Sequence, residues 1–327
     1  MSKRFDNKKL LYLLAGLIAI LLLTYIIRIP GEKATFKSRI VEFDTLAVNK
    51  IVIYPLPGKG DPIEFSRKNS KWSVQQGTIV SATQKGAVDN IFSEVLSLKP
   101  QSLASINKSK WKEFHVSDSL ATRVKVLDKK GKTLADLMIG KFSYKQVDNA
   151  YGGYGRNNVQ GTSYIRLFGD KEVYAVDGFI SFFFNGNFEY WRDKTLVASN
   201  INDVTNIRFT YPGDSSYTLI KKESVWYSGN QIADSLKVAD FLNGIKNLDG
   251  QDINDNFKPV ENPEYQVLIE GNNLLNISVK CYKTDNNVEY CLNSSLNPDI
   301  FFTSKKNDIF DKLFKPQNHF LKQMKKK

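Results

Sequence analysis

The amino-acid sequence predicts an α+β protein made of two tandem copies of a mostly antiparallel β-sheet unit, each with one main helix. A single N-terminal transmembrane helix precedes the two copies. Three observations predict this class: one long apolar run near the N-terminus, short alternating apolar segments between turn residues, and features that recur about 150 residues apart. With 327 residues, 42% of them hydrophobic, the chain is long enough for two domains with real cores.

The apolar run comes first along the chain. Residues 10–27 contain no charged side chain, and as a helix they would span about 27 Å, close to the thickness of the bilayer hydrocarbon. We therefore predict a basic cytoplasmic tail at 1–9, an anchor at 10–29 and a linker at 30–45, with the body in the periplasm. A cleaved signal peptide is the alternative, but bulky residues occupy the positions where cleavage requires small ones.

The first predicted copy, residues 46–200, begins with a strand and a hairpin. Val48–Tyr54 reads as the strand, and Ile63–Phe65 and Trp72–Val74 read as the hairpin. A helix is predicted from Thr83 to Leu98. Its apolar face consists of Val88, Ile91, Phe92, Val95 and Leu98.

The second predicted copy, residues 201–320, repeats this order, and a basic tail at 321–327 follows it. Ile207–Tyr211 reads as the strand, and Tyr217–Ile220 and Val225–Tyr227 read as the hairpin. A helix is predicted from Ser235 to Leu248. Its apolar face has the same spacing as the first: Val238, Phe241, Leu242, Ile245 and Leu248.

Each predicted copy continues with a second hairpin, a further strand and an aromatic helical segment. In the first copy these are Arg123–Leu127, Leu134–Ile139, Val173–Val176 and Phe179–Phe184. In the second copy they are Leu275–Tyr282, Val288–Leu292, Ile300–Phe302 and Ile309–Phe314.

The net charge of +12 does not indicate a nucleic-acid-binding protein. Residues 1–9 and the last six residues together contribute +7 of this net charge, so the body carries a mixed surface. Phosphate binding needs a concentrated basic stripe, which this body lacks.

The chain shows no catalytic or metal-binding pattern. It has no G-x-S-x-G nucleophile motif, and its two histidines, His115 and His319, are far apart and have no metal ligands at suitable spacing. We therefore expect no enzymatic activity, no catalytic residues, no metal site and no cofactor.

The two cysteines flank a predicted tight turn. With the turn centred on Asn286, Cys281 and Cys291 are expected directly opposite each other on paired strands. Outside the cytoplasm they could form a cross-strand disulfide, and two reduced thiols are the alternative.

Aromatic residues cluster most densely late in the first copy. Phe182, Phe183, Tyr190 and Trp191 are candidate partner-contact residues, and Tyr151 and Tyr154 in a glycine-rich segment join them. The same cluster could instead be core between a sheet and its helix, and exposed Tyr and Trp could also stack on sugar rings.

The ordered features resemble the bacterial domain-of-unknown-function 4340 family over about residues 48–250. The motifs that carry the resemblance are Leu137-Met138-Ile139-Gly140-Lys141, Tyr164-Ile165-Arg166, Val173-Tyr174-Ala175-Val176 and Tyr190-Trp191-Arg192-Asp193-Lys194. The resemblance implies a membrane-anchored protein outside the cytoplasm, associated with ABC-type transport systems of the gliding-motility-auxiliary kind. It implies no catalytic residues.

We therefore expect a non-enzymatic single-pass protein of the bacterial inner membrane that acts as an accessory or scaffold for a membrane complex. Its expected partners are the lipid bilayer and a membrane protein, with an ABC-type permease suspected. An envelope glycan-binding module is the alternative, and an envelope hydrolase is a more distant one.

Overall fold

The structure is a computed structural model that describes residues 12, 14, 16–18, 39–56, 58–147, 158–284, 289–304 and 309–322. Most of the predicted anchor, 10–29, lies outside these residues. Within the part of the chain that is described, no helix is long and apolar enough to cross a membrane.

The described residues form mainly antiparallel β-sheet, with a few short helices. The strands of the first half are β1 Val48–Tyr54, β2 Ile63–Lys68, β3 Lys71–Gln76, β4 Ile79–Ala82, β5 Pro100–Ser105, β6 Thr122–Asp128, β7 Thr133–Val147, β8 Asn158–Leu167, β9 Val173–Asp177 and β10 Thr195–Ala198. Those that follow are β11 Val204–Thr210, β12 Tyr217–Lys222, β13 Val225–Ser228, β14 Gln231–Ile232, β15 Asn247–Asp249, β16 Tyr265–Gly271, β17 Ile277–Lys283, β18 Tyr290–Ser294 and β19 Asn297–Thr303.

The two longest described α-helices are the two that the periodicity predicts. In chain order the helices are α1 Ala87–Leu96, α2 Ile180–Phe184, α3 Phe188–Trp191, α4 Ser235–Ile245, α5 Ile309–Leu313 and α6 Gln317–Phe320. Short 3₁₀ turns lie at Thr45–Ala47 and Lys108–Lys110.

The chain divides into two compact units. The first unit comprises Met1–Val48, Phe92–Leu127 and Lys132–Phe184, and the second comprises Asn49–Ile91, Asp128–Gly131 and Asn185–Lys327. The predicted boundary between copies at residues 200 and 201 remains a prediction.

Neighbouring strands in each unit run antiparallel. The first unit holds strands in the order β6-β7-β8-β9-β5, and the second unit holds strands in the order β4-β3-β2-β1. The second unit also holds an eight-stranded sheet, β14-β13-β12-β11-β16-β17-β18-β19, and the pair β10-β15. These large sheets confirm that the fold is mostly antiparallel β-sheet, as predicted.

Most predicted elements are present, with shifted boundaries. The first helix begins at Ala87 and not at Thr83, because Thr83 forms a β-bridge to Arg192 and Gly86 adopts φ 77°. The strand predicted to end at Ile139 continues to Val147. Strands β4, β5, β10, β14 and β15 are not among the predicted elements. Except for β5, they have four residues or fewer, which gives little room for a period of two.

The core of the eight-stranded sheet follows from strand alternation. Strands β16 and β17 bury every second residue, as expected for a sheet covered on one face. Helix α4 is capped by the Asp234 carboxylate, which accepts from Leu236 N at 3.1 Å. It buries four residues of the predicted apolar face, Val238, Phe241, Leu242 and Ile245, whereas Leu248 lies beyond the helix in strand β15. Trp226, Phe209 and Phe320 are buried in the same core.

A buried arginine organises the loops of the first unit. The Arg166 guanidinium donates to the carbonyl oxygens of Val116 at 3.1 Å and of Leu167 and Asp170 at 3.2 Å each. It also lies over the Trp111 ring, 3.7 Å from its centroid. Burial lowers the pKa of Arg166, but the surrounding oxygens still satisfy its donors.

Candidate functional site

The candidate site is built on the two long strands of the first unit. Beyond a bulge, β7 pairs with β8 so that Phe142 lies opposite Ser163, Tyr144 opposite Gly161, and Gln146 opposite Val159. Cross-strand partners and alternate residues share a face of a sheet. Phe142, Tyr144 and Val159 therefore lie on one face of this β7–β8 ribbon.

Helix α2 is held against the same face by local contacts. The Ser163 hydroxyl donates to Gly178 O at 2.7 Å and accepts from Ile180 N at 3.0 Å, which positions the start of the helix. Phe179 lies directly over Gly161, where an added Cβ would come within 2.7 Å of its ring. Glycine at 161 thus allows this aromatic ring to lie close to the strand.

Three aromatic rings pack together on the ribbon. The Phe142 centroid is 4.5 Å from that of Phe182 and 5.6 Å from that of Phe179, and the latter two are 5.9 Å apart. Phe182 nevertheless remains 62% exposed, Tyr144 71% and Val159 46%. We refer to Phe142, Tyr144, Val159, Phe179 and Phe182 as the ribbon surface.

The structure assigns the predicted contact residues to different places. Phe182 belongs to the ribbon surface, and Phe183 is half-buried against Phe184 at 4.9 Å. Tyr151 and Tyr154 lie outside the described residues.

The other two predicted contact residues lie in the second unit and differ sharply in exposure. Tyr190 is half-exposed, whereas Trp191 is completely buried, with Phe65 edge-on at 5.4 Å. Trp191 is therefore a core residue, and this corrects the prediction that it contacts a partner or stacks on a sugar.

The sequence interpretation missed Phe142, Tyr144, Val159 and Phe179 as surface residues. The predicted strand ends at Ile139 and therefore leaves out the alternating aromatic residues Phe142 and Tyr144. The spacing of two residues between Phe142 and Tyr144 is the sequence signal that indicates a shared strand face. The approach of helix α2 could not be anticipated, since it depends on a contact with a glycine in another strand.

The predicted pairing of the cysteines is wrong by one residue. Cys281 aligns with Leu292, and Cys291 aligns with Tyr282, so the two cysteine side chains point to opposite faces of the sheet. Both thiols are free and buried. A cross-strand disulfide is incompatible with this register, which leaves the alternative of two reduced thiols.

Both thiols are also expected to have low reactivity. Burial raises the pKa of Cys281, and it raises the pKa of Cys291 to about 11, although a hydrogen bond from Asn254 Nδ2 at 3.9 Å opposes that rise. The thiolate is the reactive form, and little of it exists at neutral pH in either position.

We expect the folded protein to react with no thiol reagent at neutral pH and the unfolded protein to react at both cysteines. Quantitative thiol labelling with and without denaturant measures this difference. Cys281→Ala and Cys291→Ala, each measured alone, should each remove one of the two labels. An intact mass lower by two hydrogen atoms under non-reducing conditions would contradict the prediction.

No group of three or more His, Cys, Asp or Glu side chains is placed to hold a metal ion among the described residues. His319, near the C-terminus, has its pKa lowered by burial and by Lys315 and Lys237, and it faces no carboxylate in the described contacts. The ribbon surface itself is aromatic and aliphatic. Such a surface is suited to binding another apolar surface.

The fold and the ribbon surface define a mostly antiparallel β-sheet protein with an exposed aromatic surface. Residues 72–267 match the family described as Domain of unknown function (DUF4340). The chain belongs to this family, which confirms the resemblance found in the sequence.

No curated protein matches the chain. No solved structure matches it either.

Proposed function

We propose that this chain is a membrane-anchored, extracytoplasmic accessory or scaffold protein without catalytic activity, which binds a membrane-protein partner through the ribbon surface. The observation that carries the proposal is the exposure of Phe182 and Tyr144 on one face of the β7–β8 ribbon. The proposed partner is the permease of an ABC-type transport system in the bacterial inner membrane.

The composition of the ribbon surface supports a protein partner. Aromatic residues are enriched in protein interfaces, and a few of them carry most of the binding energy. Leaving large apolar rings in water is unfavourable by about 25 cal/mol per Å² of apolar area, so covering them on binding is favourable. The rings of Phe142 and Phe179 pack against the Phe182 ring and restrict its side-chain conformations. This restriction lowers the conformational entropy that Phe182 would lose on binding.

The sequence supports the membrane location. The uncharged run at 10–27 and the basic tail before it are typical of an uncleaved anchor with a cytoplasmic N-terminus. Such an anchor would keep the body near the outer face of the inner membrane. The effective concentration of the body around a neighbouring membrane protein would then be high.

We also infer that the body consists of two copies of one α+β unit. The order β14-β13-β12-β11 repeats the order β4-β3-β2-β1, and β16-β17-β18-β19 repeats β6-β7-β8-β9. In this order the hairpin β6–β7 corresponds to β16–β17, one strand earlier than the hairpin β17–β18 that the sequence pattern predicts. The main helix follows the fourth strand in each half, since α1 follows β4 and α4 follows β14. Residues 46–200 and 201–320 are the proposed copies.

The proposal predicts site-specific cross-links in cells. A photoreactive phenylalanine analogue at position 144 or 182 of the full-length protein should form an adduct with a protein that crosses the membrane several times. The same analogue at Ile220, an exposed apolar residue on β12, is the matched control and should give no such adduct. Mass spectrometry of the adduct identifies the partner.

The substitutions Phe182→Ser and Tyr144→Ser should each reduce co-isolation of that partner about tenfold, as expected for loss of about 1.4 kcal/mol. Ile220→Ser should leave co-isolation unchanged. Equal adducts at all three positions, or none at 144 and 182, would contradict the proposed surface.

A further inference from the structure

The second unit contains a cleft of about 490 Å³ that the proposed function does not use. It lies between a loop that includes Phe257–Glu264 and the end of strand β17, at Tyr282–Thr284. This volume is within the range of about 300–1,000 Å³ that is typical of small-molecule sites.

The cleft is on the face of the eight-stranded sheet that points away from its core. Cys281 and Phe302 are part of the core cluster, and their chain neighbours Tyr282 and Phe301 therefore point to the other face. The Phe257 ring joins them from the loop. The three centroids are 5.2 Å apart for Phe257 and Phe301, 5.9 Å for Tyr282 and Phe301, and 6.1 Å for Phe257 and Tyr282.

This aromatic triad is only half-buried. The Tyr282 hydroxyl makes no hydrogen bond within the part of the chain that is described. Like any tyrosine hydroxyl it is protonated at neutral pH, and burial raises its pKa further. The cleft therefore offers an aromatic wall that ends in a hydrogen-bond donor.

The polar side chains of the cleft balance in charge. Two cations, Lys258 and Lys283, face two carboxylates, Glu261 and Glu264. Lys283 Nζ lies 3.1 Å from Glu264 Oε1, while Glu264 Oε2 is buried and has no hydrogen-bond donor in the described structure. Since neither sign of charge dominates, the cleft favours a neutral ligand with many hydroxyl or amide groups over a polyanion or a polycation.

We propose that this cleft binds the neutral sugar rings of a glycan. The CH groups of a pyranose ring carry partial positive charge and would pack against the negative faces of Tyr282 and Phe257. Its hydroxyl groups would bond to the Tyr282 hydroxyl and to Glu261 and Asn262, which make no other hydrogen bonds in the described part of the chain. This site is independent of the ribbon surface and of the proposed membrane-protein partner.

The test is titration of the detergent-solubilised full-length protein with neutral oligosaccharides of N-acetylglucosamine, glucose and galactose, followed by calorimetry and by saturation-transfer NMR. We expect saturable binding of at least one of them, with the strongest saturation at the CH protons of the ring. Tyr282→Ala should weaken that binding at least tenfold, and Tyr144→Ala on the ribbon surface should not change it.

Because Tyr282→Ala removes part of a packed triad, the exposed substitutions Glu261→Ala and Asn262→Ala serve as a second test. Each should weaken binding about threefold to tenfold while leaving the unfolding temperature unchanged. Absence of saturable binding to all three sugars would overturn the proposal. Unchanged binding in Tyr282→Ala, or competition for the same cleft by an uncharged peptide but by no sugar, would overturn it as well.

Discussion

Replacing Trp191 with alanine is expected to lower the free energy of unfolding by about 3–5 kcal/mol, the usual range for loss of a fully buried tryptophan. The indole has no exposed surface, and it packs edge-on against Phe65 at 5.4 Å and beside Tyr190 at 4.8 Å. Its backbone carbonyl also accepts from Gln84 N at 2.9 Å. The cavity left by the side chain would lie within the compact second unit, where relaxation is limited.

Thermal unfolding of the full-length protein in mild detergent measures this loss. Tyr190→Ala is the matched control, since the adjacent aromatic residue is half-exposed and its removal should cost about 1 kcal/mol. Cross-linking from position 144 should continue in Trp191→Ala at temperatures where the protein stays folded. An effect of Trp191→Ala no larger than that of Tyr190→Ala would show that Trp191 is not a core residue.

Replacing Asp255 with asparagine is expected to lower the free energy of unfolding by about 2–4 kcal/mol. Both terminal nitrogens of the Arg192 guanidinium contact the Asp255 carboxylate at 2.7 Å, in a bidentate pair. The Arg192 side chain is only 2% exposed, and its Nε already has no hydrogen-bond partner in the described structure. Removing the carboxylate charge would leave a buried cation without compensation.

Replacing Arg192, the other partner of the pair, should lower the free energy of unfolding by less. Asp255 is one-third exposed, so water can hydrate its carboxylate after Arg192→Met, and we expect a loss of about 1–3 kcal/mol. The double variant should be more stable than the sum of the two single effects predicts, since it removes both charges together. Strictly additive effects in this double-mutant cycle would show that the pair does not couple.

The exposed pair Lys110–Glu113 provides a control for the cycle. Its atoms are 2.8 Å apart, but both side chains are more than half exposed. Glu113→Gln should therefore leave the unfolding temperature unchanged, since exposed ion pairs contribute little.

Much of the fold could be predicted because the signals are local. The apolar faces of helices α1 and α4 repeat every three to four residues, and the hairpins alternate around turn residues. At the first of these turns Asn69 and Ser70 adopt φ of 49° and 64°, the left-handed geometry that tight hairpins need. Each of these signals lies within about twenty residues of chain.

The candidate site was only partly predictable. The aromatic cluster drew attention to Phe182, but its partner Phe142 lies 40 residues earlier and belongs to another element. The same cluster included Trp191, which the fold buries completely. Aromatic composition favours both interfaces and cores, so it cannot distinguish them without knowledge of what packs on each ring.

The sequence by itself determined the α+β class, the order and approximate bounds of the main elements, and membership of the family. The tertiary structure decided that Cys281 and Cys291 face opposite sides of their sheet, that Trp191 is core, and that Phe142, Tyr144 and Phe182 share an exposed face. It also brought Arg192 to Asp255 across 63 residues of chain. Periodicity specifies which side chains share a face, whereas strand register and the packing of distant segments specify what that face contacts.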